Sequence, residues 1–286
     1  MAIPKGLEPT GMILVDKPAG PSSFAIVAEV RRRTKAKTGH AGTLDPFATG
    51  LLVLLSGRAT RLASCFVGLD KRYLTEIDLS ARTATGDPEG EVLGRHEPLT
   101  GAALEAALAG LRGDIELPIP AASAVKIGGE RAYRLHRQGI AVEMPLRRSR
   151  VAVLDVIAER EGFLTLDLQV SSGTYVRSIA DALGGHCVSL RRTAVGPFRV
   201  EEADPQRVVP VEAALARIGL TREQAEVVRR GGPVGPVGQI GPVGPVGPVG
   251  QVGQVGQIGQ IGQIGQIGHV GQGGHEASVT PGRALP

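Results

Sequence analysis

A tripeptide repeat near the C-terminus sets the strongest limit on how this chain folds. Glycine stands at every third position from Gly232 to Gly271, and Val or Ile occupies most positions just before a glycine. So glycine-rich a segment offers little apolar side-chain surface to offset the entropy lost on ordering it. We therefore predict a flexible tail of polyproline II character over residues 232–286. The glycine period is also that of collagen, so a trimeric triple helix is the alternative.

The composition of the chain limits which classes of protein the residues before the tail can form. Hydrophobic residues make up 42% of the chain, enough for a sizeable core, and the net charge of +4 permits a nucleic-acid partner without requiring one. Cys65 and Cys187 form no CxxC pair, which argues against a disulfide framework and a zinc site. The N-terminus has no signal-peptide core, and the longest apolar run, 51–55, is too short to span a bilayer. We expect a cytoplasmic monomer.

Hydrophobic patterning predicts a mixed domain of strands and helices before the tail. Helix signals include a serine cap at 22–23 and a C-terminal glycine at Gly139. The predicted strands cover 12–15, 51–55, 71–80 and 193–203, with a hairpin of 151–159 and 163–171 that turns at 161–162. The predicted helices cover 22–33, 58–67, 100–111 with Thr100 as cap, 132–138, 175–183, 211–218 and 221–229.

The stretch GHAGTLDPFATG, residues 39–50, carries one carboxylate, Asp45, in a setting that is by itself typical of a turn or a helix cap. Four further segments accompany it: DKPAGPSS (16–23), KRYLTEIDL (71–79), SAVKIGGERAYRLHRQG (123–139) and SSGTYVRSIADALG (171–184). In this order and spacing, the set resembles the bacterial tRNA pseudouridine synthases of the TruB family over about residues 10–205.

The resemblance implies an α+β fold, with a central mixed, mostly antiparallel sheet, flanking helices and a catalytic cleft. It also implies that Asp45 is the catalytic nucleophile and that Arg177 is its ion-pair partner. An arginine keeps its charge when buried and can hold a carboxylate by two hydrogen bonds. Such a cation favours the ionised carboxylate.

The reaction that the resemblance implies moves the uracil of a uridine from its N1–C1′ bond to a C5–C1′ bond. No atom is gained or lost, so we expect neither a cofactor nor a metal. A carboxylate can attack carbon or stabilise positive charge at an anomeric centre. Attack on the sugar, attack on the base and assistance to glycal formation all stay open.

A uridine stacked inside a tRNA must be flipped out before it reacts, and a flipped base needs flat and apolar partners. The resemblance assigns Tyr73 to stacking on the uracil and to helping the proton leave C5. Tyr175 and Leu190 line the same pocket, and His40 helps to open the RNA loop and to hold the flipped nucleotide. Each also has an ordinary explanation: core packing for the tyrosines and the leucine, and a surface turn for the histidine.

Two further groups support the site in the resemblance. Lys17 and Pro18 buttress the catalytic loop, and Gly42 permits a tight turn beside Asp45. The basic segment 121–150 corresponds to an insertion that clamps the tRNA arm, although a solvated basic face would have the same composition. Its expected contacts to the RNA backbone are Lys126, Arg131, Arg134, Arg147 and Arg148.

These inferences divide the chain into three parts. Residues 1–205 form the catalytic domain, 206–231 are the remnant of a C-terminal RNA-contacting domain, and 232–286 are the tail. The segment before Leu190 is shorter than is usual in the family. The expected function is conversion of uridine 55 in the T-arm loop of tRNA to pseudouridine. The alternatives are a non-catalytic tRNA-binding or RNA-folding protein and a pseudouridine synthase that acts on another RNA.

Overall fold

A large mixed sheet organises residues 10–230, which are the residues that the computed structural model describes. The predictions for 232–286 lie outside this range. The strands are β1 (Gly11–Lys17), β2 (Thr38–His40), β3 (Thr49–Ser56), β4 (Lys71–Asp78), β5 (Ala81–Thr83), β6 (Val92–Arg95), β7 (Gly113–Pro118), β8 (Lys126–Ile127), β9 (Glu130–Arg131), β10 (Leu146–Arg160), β11 (Phe163–Val170), β12 (His186–Val195), β13 (Phe198–Arg199) and β14 (Asp204–Val209).

The main sheet has the order β14-β1-β3-β12-β4-β11-β10-β7, with β2 paired to β3 and β13 paired to β12. Within the described residues, β3 and β12 are its one parallel pair, and its other pairs are antiparallel. The predicted fold class is confirmed. The hairpin turns at Glu161 and Gly162, both at positive φ, as two-residue turns of this kind require.

Helices flank the sheet: α1 (Ser23–Thr34), α2 (Ala63–Val67), α3 (Gly101–Gly110), α4 (Ala132–Arg137), α5 (Val176–Ala182), α6 (Val211–Arg217) and α7 (Arg222–Arg229). Ser22 caps α1 by accepting a hydrogen bond from the backbone N–H of Ala25. Three predictions need correction. The strand expected at 193–203 is instead the end of β12, the short β13 and a 3₁₀ turn at Val200–Glu202. The helix expected at 58–67 begins as a 3₁₀ turn, and Thr100 precedes α3 without a side-chain capping bond.

The strand β3 is buried on both faces, which explains its unbroken apolar run LLVLL. Leu51, Val53 and Leu55 pack into the cluster under α2, α6 and α7, whereas Leu52 and Leu54 pack against α1. A strand covered on both sides loses the usual alternation of apolar and polar residues. The loop that carries Asp45 leads directly into this strand, so it is anchored to a strand that is buried from Gly50 to Ser56.

The parallel contact between β3 and β12 fixes where the catalytic loop enters the sheet. Thr49 and Gly50 pair with Arg191 and Arg192. Gly50 has a φ of +101°, and a Cβ there would lie 2.3 Å from the carbonyl oxygen of Arg192. Only glycine fits this close approach. The loop is thereby held beside β12 and its other neighbour, β4.

The basic segment divides between two structures. The chain leaves the sheet after β7, forms β8, β9 and α4, and re-enters the sheet where Leu146–Val151 pairs with Pro118–Gly113. Arg147 and Arg148 therefore lie on β10, not on the insertion with which the sequence grouped them. Exposed basic residues can belong to a paired strand as well as to a loop, because the side chains of a strand alternate between its two faces.

The residues after 203 close the other edge of the sheet. The strand β14 pairs with β1, and the apolar faces of α6 and α7 pack on the cluster beneath α2. The predicted boundary at 205–206 falls inside β14.

Candidate active site

The loop that carries Asp45 is held from one side by Lys17 and Ser23. The Lys17 ammonium is buried and donates hydrogen bonds to the carbonyl oxygens of Pro46 (3.0 Å) and Ala48 (2.7 Å). The Ser23 hydroxyl donates to the carbonyl of Leu44 and accepts from its N–H, both at 2.8 Å. Burial lowers the pKa of Lys17, and the nearby carboxylate of Asp45 opposes that change.

From the other side, Arg192 holds the same loop. Its guanidinium is fully buried and donates to the carbonyl oxygens of Gly42 (3.0 Å), Thr43 (3.3 Å) and Leu51 (2.7 Å). Gly42 adopts a φ of +123° at this turn. Because its backbone carbonyls are bonded on both sides of Asp45, the loop presents that carboxylate from a rigid support.

The carboxylate of Asp45 faces the guanidinium of Arg177. Arg177 Nε lies 3.0 Å from Asp45 Oδ2, and the side chains are 4% and 35% exposed, respectively. The remaining nitrogens of Arg177 donate to the carbonyls of Thr85 (2.6 Å) and Ala122 (3.1 Å). The predicted partnership is present, but a single contact replaces the expected pair of bonds because two carbonyls occupy the other end of the guanidinium.

A second carboxylate, Asp87, shares this arginine. Its Oδ2 lies 3.5 Å from Arg177 Nη1, and its Oδ1 accepts hydrogen bonds from the Thr85 hydroxyl (2.5 Å) and the Glu89 N–H (3.1 Å). Asp87 is buried. Sequence reasoning missed it because TGDPEG is typical of an ordinary turn.

The surroundings of Asp45 act on its pKa in opposite directions. Burial raises the pKa of this carboxyl, and the negative charge of Asp87 raises it further. The positive charge of Arg177, and more weakly that of Lys17, lowers the same pKa. Asp45 is thus a carboxylate kept away from full hydration, with a cation that limits the cost of ionising it.

The exposed part of Asp45 opens into a cavity of about 410 Å³. Tyr73 projects from β4, Leu190 from β12 and Tyr175 from the position just before α5. Tyr133 from α4 also lines the cavity, so each tyrosine of the chain borders it. Flat rings and an apolar side chain around one carboxylate form a suitable enclosure for a planar, uncharged base.

Comparisons with known proteins agree with this arrangement. The family model described as TruB family pseudouridylate synthase (N terminal domain) matches residues 31–176. The tRNA pseudouridine synthase B of Leifsonia xyli is 42% identical over 253 residues, which cover 79% of this chain and 84% of that protein. The chain belongs to the TruB family of pseudouridylate synthases. The tRNA pseudouridine synthase B of Mycolicibacterium paratuberculosis is 44% identical over 212 residues, which cover 69% of this chain and 72% of that protein.

Two solved structures resemble the fold of this TruB-family chain. A chain from a Cbf5–Nop10–Gar1 complex matches with a TM-score of 0.52 and 27% identity, over 67% of this chain and 50% of that one. A chain from an H/ACA ribonucleoprotein bound to a substrate RNA containing 2′-deoxyuridine matches with a TM-score of 0.53, over 74% and 62% of the two chains. At 22% identity, the second match bears on the fold alone.

His40 is not among the residues that line the cavity of this TruB-family protein. It lies on β2, paired with Leu54, two residues before Gly42. Its Nδ1 is buried and has no hydrogen-bond partner within residues 10–230. Burial and the charge of Arg192 lower its pKa, so the neutral ring is favoured.

Lys71 is a cavity-lining cation that sequence reasoning did not assign. Its ammonium donates to the carbonyls of Val67 (2.6 Å) and Leu69 (2.5 Å) and to the Ser172 hydroxyl (3.1 Å). Burial and the charge of Arg192 lower its pKa to about 8. Lys71 therefore ties the end of α2 to the loop that precedes Tyr175.

The basic residues expected to contact RNA are exposed and are not among the residues that line the cavity. Lys126, Arg131 and Arg134 are exposed on the insertion. Arg147 is exposed on β10 and donates to the carbonyl of Ser172 (3.4 Å), beside the cavity-lining loop. Arg148 is exposed on the same strand, 3.5 Å from Glu116.

Between residues 10 and 230, no three or more His, Cys, Asp or Glu side chains are grouped as a metal site. No helix in that range is both long and apolar enough to cross a membrane.

Proposed function

We propose that this protein converts uridine 55 in the T-arm loop of tRNA to pseudouridine, with Asp45 as the nucleophile. The observation that carries the proposal is the partly exposed carboxylate of Asp45, held by the buried Arg177 at the wall of a cavity bordered by tyrosines. An ionised carboxylate beside an anomeric carbon can displace or stabilise the group that leaves it. The relatives from Leifsonia xyli and Mycolicibacterium paratuberculosis are tRNA pseudouridine synthases, so tRNA is the substrate class of those proteins.

The proposed division of labour follows the contacts of each side chain. Arg177 engages Oδ2 of Asp45, while Oδ1 accepts no hydrogen bond from any residue in the described range. Oδ1 is therefore the atom that we assign to the reacting nucleotide. The N1–C1′ bond breaks, the uracil turns within the cavity, and a C5–C1′ bond forms. C5 loses its proton and N1 takes one up, so the product is an isomer of the substrate. Tyr73, beside Leu190, stacks on the uracil and keeps it in the cavity between these steps.

The direct test is to incubate the purified protein with a tRNA transcript that carries uridine 55 and to map pseudouridine in the product. We expect modification at position 55 with the wild-type protein and none with Asp45→Asn, which should still bind the tRNA. Binding without modification by both proteins would favour the non-catalytic alternative. Mapping the RNAs of a deletion strain would reveal any other RNA target, because its uridines would stay unmodified.

The exposed arginines on β10 supply a second test, which concerns the RNA surface. Each phosphate contact that is lost should lower the slope of log affinity against log salt by about one. We expect Arg147→Glu with Arg148→Glu to flatten that slope by about two. Reversal of Arg95 and Arg112, which are exposed and do not line the cavity, is the matched control. Equal slopes in the wild type and the β10 variant would place the RNA elsewhere.

A further inference from the structure

Ser123 lies at the junction between the basic insertion and the active site. The preceding carbonyl, that of Ala122, accepts a hydrogen bond from Arg177. The carbonyl of Ser123 itself accepts one from the N–H of Tyr133, which belongs to the insertion (3.0 Å). One short segment thus connects the arginine that holds Asp45 to the element proposed to grip the RNA.

The hydroxyl of Ser123 is unusual among the buried polar groups. Its Oγ is covered and has no hydrogen-bond partner within residues 10–230, although the residue borders the cavity. A buried hydroxyl without a partner destabilises a fold. Such a group in a ligand cavity points to a partner gained in the working complex.

The phenol of Tyr175 is a candidate for that partner, because its pKa responds to the Ser123 hydroxyl. Tyr175 is half-buried at the start of α5 and borders the same cavity. Burial raises the pKa of Tyr175, while the charges of Arg147 and Arg177 and the nearby hydroxyl of Ser123 oppose that rise. The two hydroxyls therefore lie close enough to act on each other at the same wall of the cavity, although Ser123 Oγ completes no well-formed hydrogen bond within residues 10–230.

We propose that Ser123 is a positioning residue whose hydroxyl bonds to the phenol of Tyr175 in the complex with RNA. The bond fixes the Tyr175 ring against the flipped base, so that binding of the RNA backbone organises the pocket. This inference rests on the proposed function, because it assigns Ser123 a part in the same isomerisation.

The experiment measures single-turnover rates at saturating tRNA for Ser123→Ala, Tyr175→Phe and the double variant. Ser56→Ala is the matched control, since the Ser56 Oγ is also buried without a partner in the described residues but does not border the cavity. We expect Ser123→Ala to lower the rate about tenfold, the loss of one hydrogen bond in the reacting complex. The tRNA dissociation constant should be unchanged, and the thermal midpoint should not fall. The double variant should be no slower than Tyr175→Phe alone.

Other outcomes overturn the inference. A lower thermal midpoint for Ser123→Ala would show a structural role, and an unchanged rate would remove any role in the reaction. Independent, multiplicative effects of the two substitutions would show that Ser123 does not act through Tyr175. In each case, pseudouridine formation by wild type and by Ser56→Ala would leave the proposed function standing. Its absence in both would instead refute the function itself.

Discussion

Two buried arginines, Arg72 and Arg177, are paired with carboxylates in different ways. Arg72 on β4 makes two parallel bonds to Asp167 on β11, from Nε to Oδ1 (2.8 Å) and from Nη2 to Oδ2 (2.7 Å). Both of those side chains are nearly inaccessible, at 7% and 11%. Arg177 makes one contact to Asp45, and it divides its remaining nitrogens among two carbonyls and Asp87.

In the Arg72–Asp167 pair the two side chains satisfy each other's hydrogen bonds, whereas the Arg177–Asp45 pair faces a cavity. In the Arg72–Asp167 pair, every carboxylate oxygen is bonded, so neither oxygen is left for another molecule. In the Arg177–Asp45 pair, one oxygen stays available, and the carboxylate is a third exposed. Breaking the first should cost mainly stability, whereas breaking the second should cost mainly catalysis.

Among the substitutions at the partners of Asp45, the largest effect should come from Arg177→Lys. Lysine keeps the positive charge but cannot reach Asp45, Asp87 and two carbonyls together, because it lacks the planar fork. We expect the rate of pseudouridine formation to fall about 10³-fold, comparable to the loss of a preorganised charged donor. Single-turnover kinetics at saturating tRNA would measure the change.

The matched control for that substitution is Arg72→Lys. It should retain the wild-type rate per folded molecule and lose stability in urea or thermal unfolding, because one lysine donor replaces two parallel bonds. Equal catalytic losses in the two variants would remove the distinction between the pairs.

A smaller effect should follow from Asp87→Asn, which tests the charge balance at Asp45. The negative charge of Asp87 raises the pKa of Asp45, so its removal should lower that pKa. If catalysis needs ionised Asp45, the acidic limb of the pH–rate profile should move to lower pH. The plateau rate should fall about tenfold, because Arg177 loses one of its anchors. A limb that stays in place or moves to higher pH would contradict this electrostatic account.

Much of the site could be predicted from the sequence because its parts are local. Asp45, Tyr73 and Arg177 each lie in a short segment with its own signature, and the structure places them around one cavity. Most of the helices and the strands β1, β3, β4, β10 and β11 followed from apolar periodicity and from turn residues such as Gly139 and Gly162, whereas β7 and β14 were not predicted. These signals depend only on neighbours in sequence.

Other parts depend on contacts between distant segments, which periodicity does not encode. Asp87 meets Arg177 across 90 positions, and its Asp-Pro-Glu-Gly setting is that of a common turn. The burial of Arg192 follows from the parallel pairing of β12 with β3. Arg147 and Arg148 were assigned to the insertion because charge runs do not show where a strand begins.

The central claim is that the Asp45 pair serves the reaction and the Asp167 pair serves the fold. It is tested most directly by comparing Asp45→Asn with Asp167→Asn in the same two assays, pseudouridine formation and equilibrium unfolding at pH 7. Because burial raises the pKa of Asp45 in the folded protein, its stability contribution is full at acidic pH and is lost as it ionises.

Asp45→Asn should therefore not lower the free energy of unfolding at pH 7, yet it should reduce the rate by at least about 10⁴-fold. Asp167→Asn should lower that free energy by about 3 kcal/mol, because it leaves Arg72 buried without its counter-charge, and should keep the rate per folded molecule. The reverse pattern, or a loss of both properties in both variants, would contradict the account.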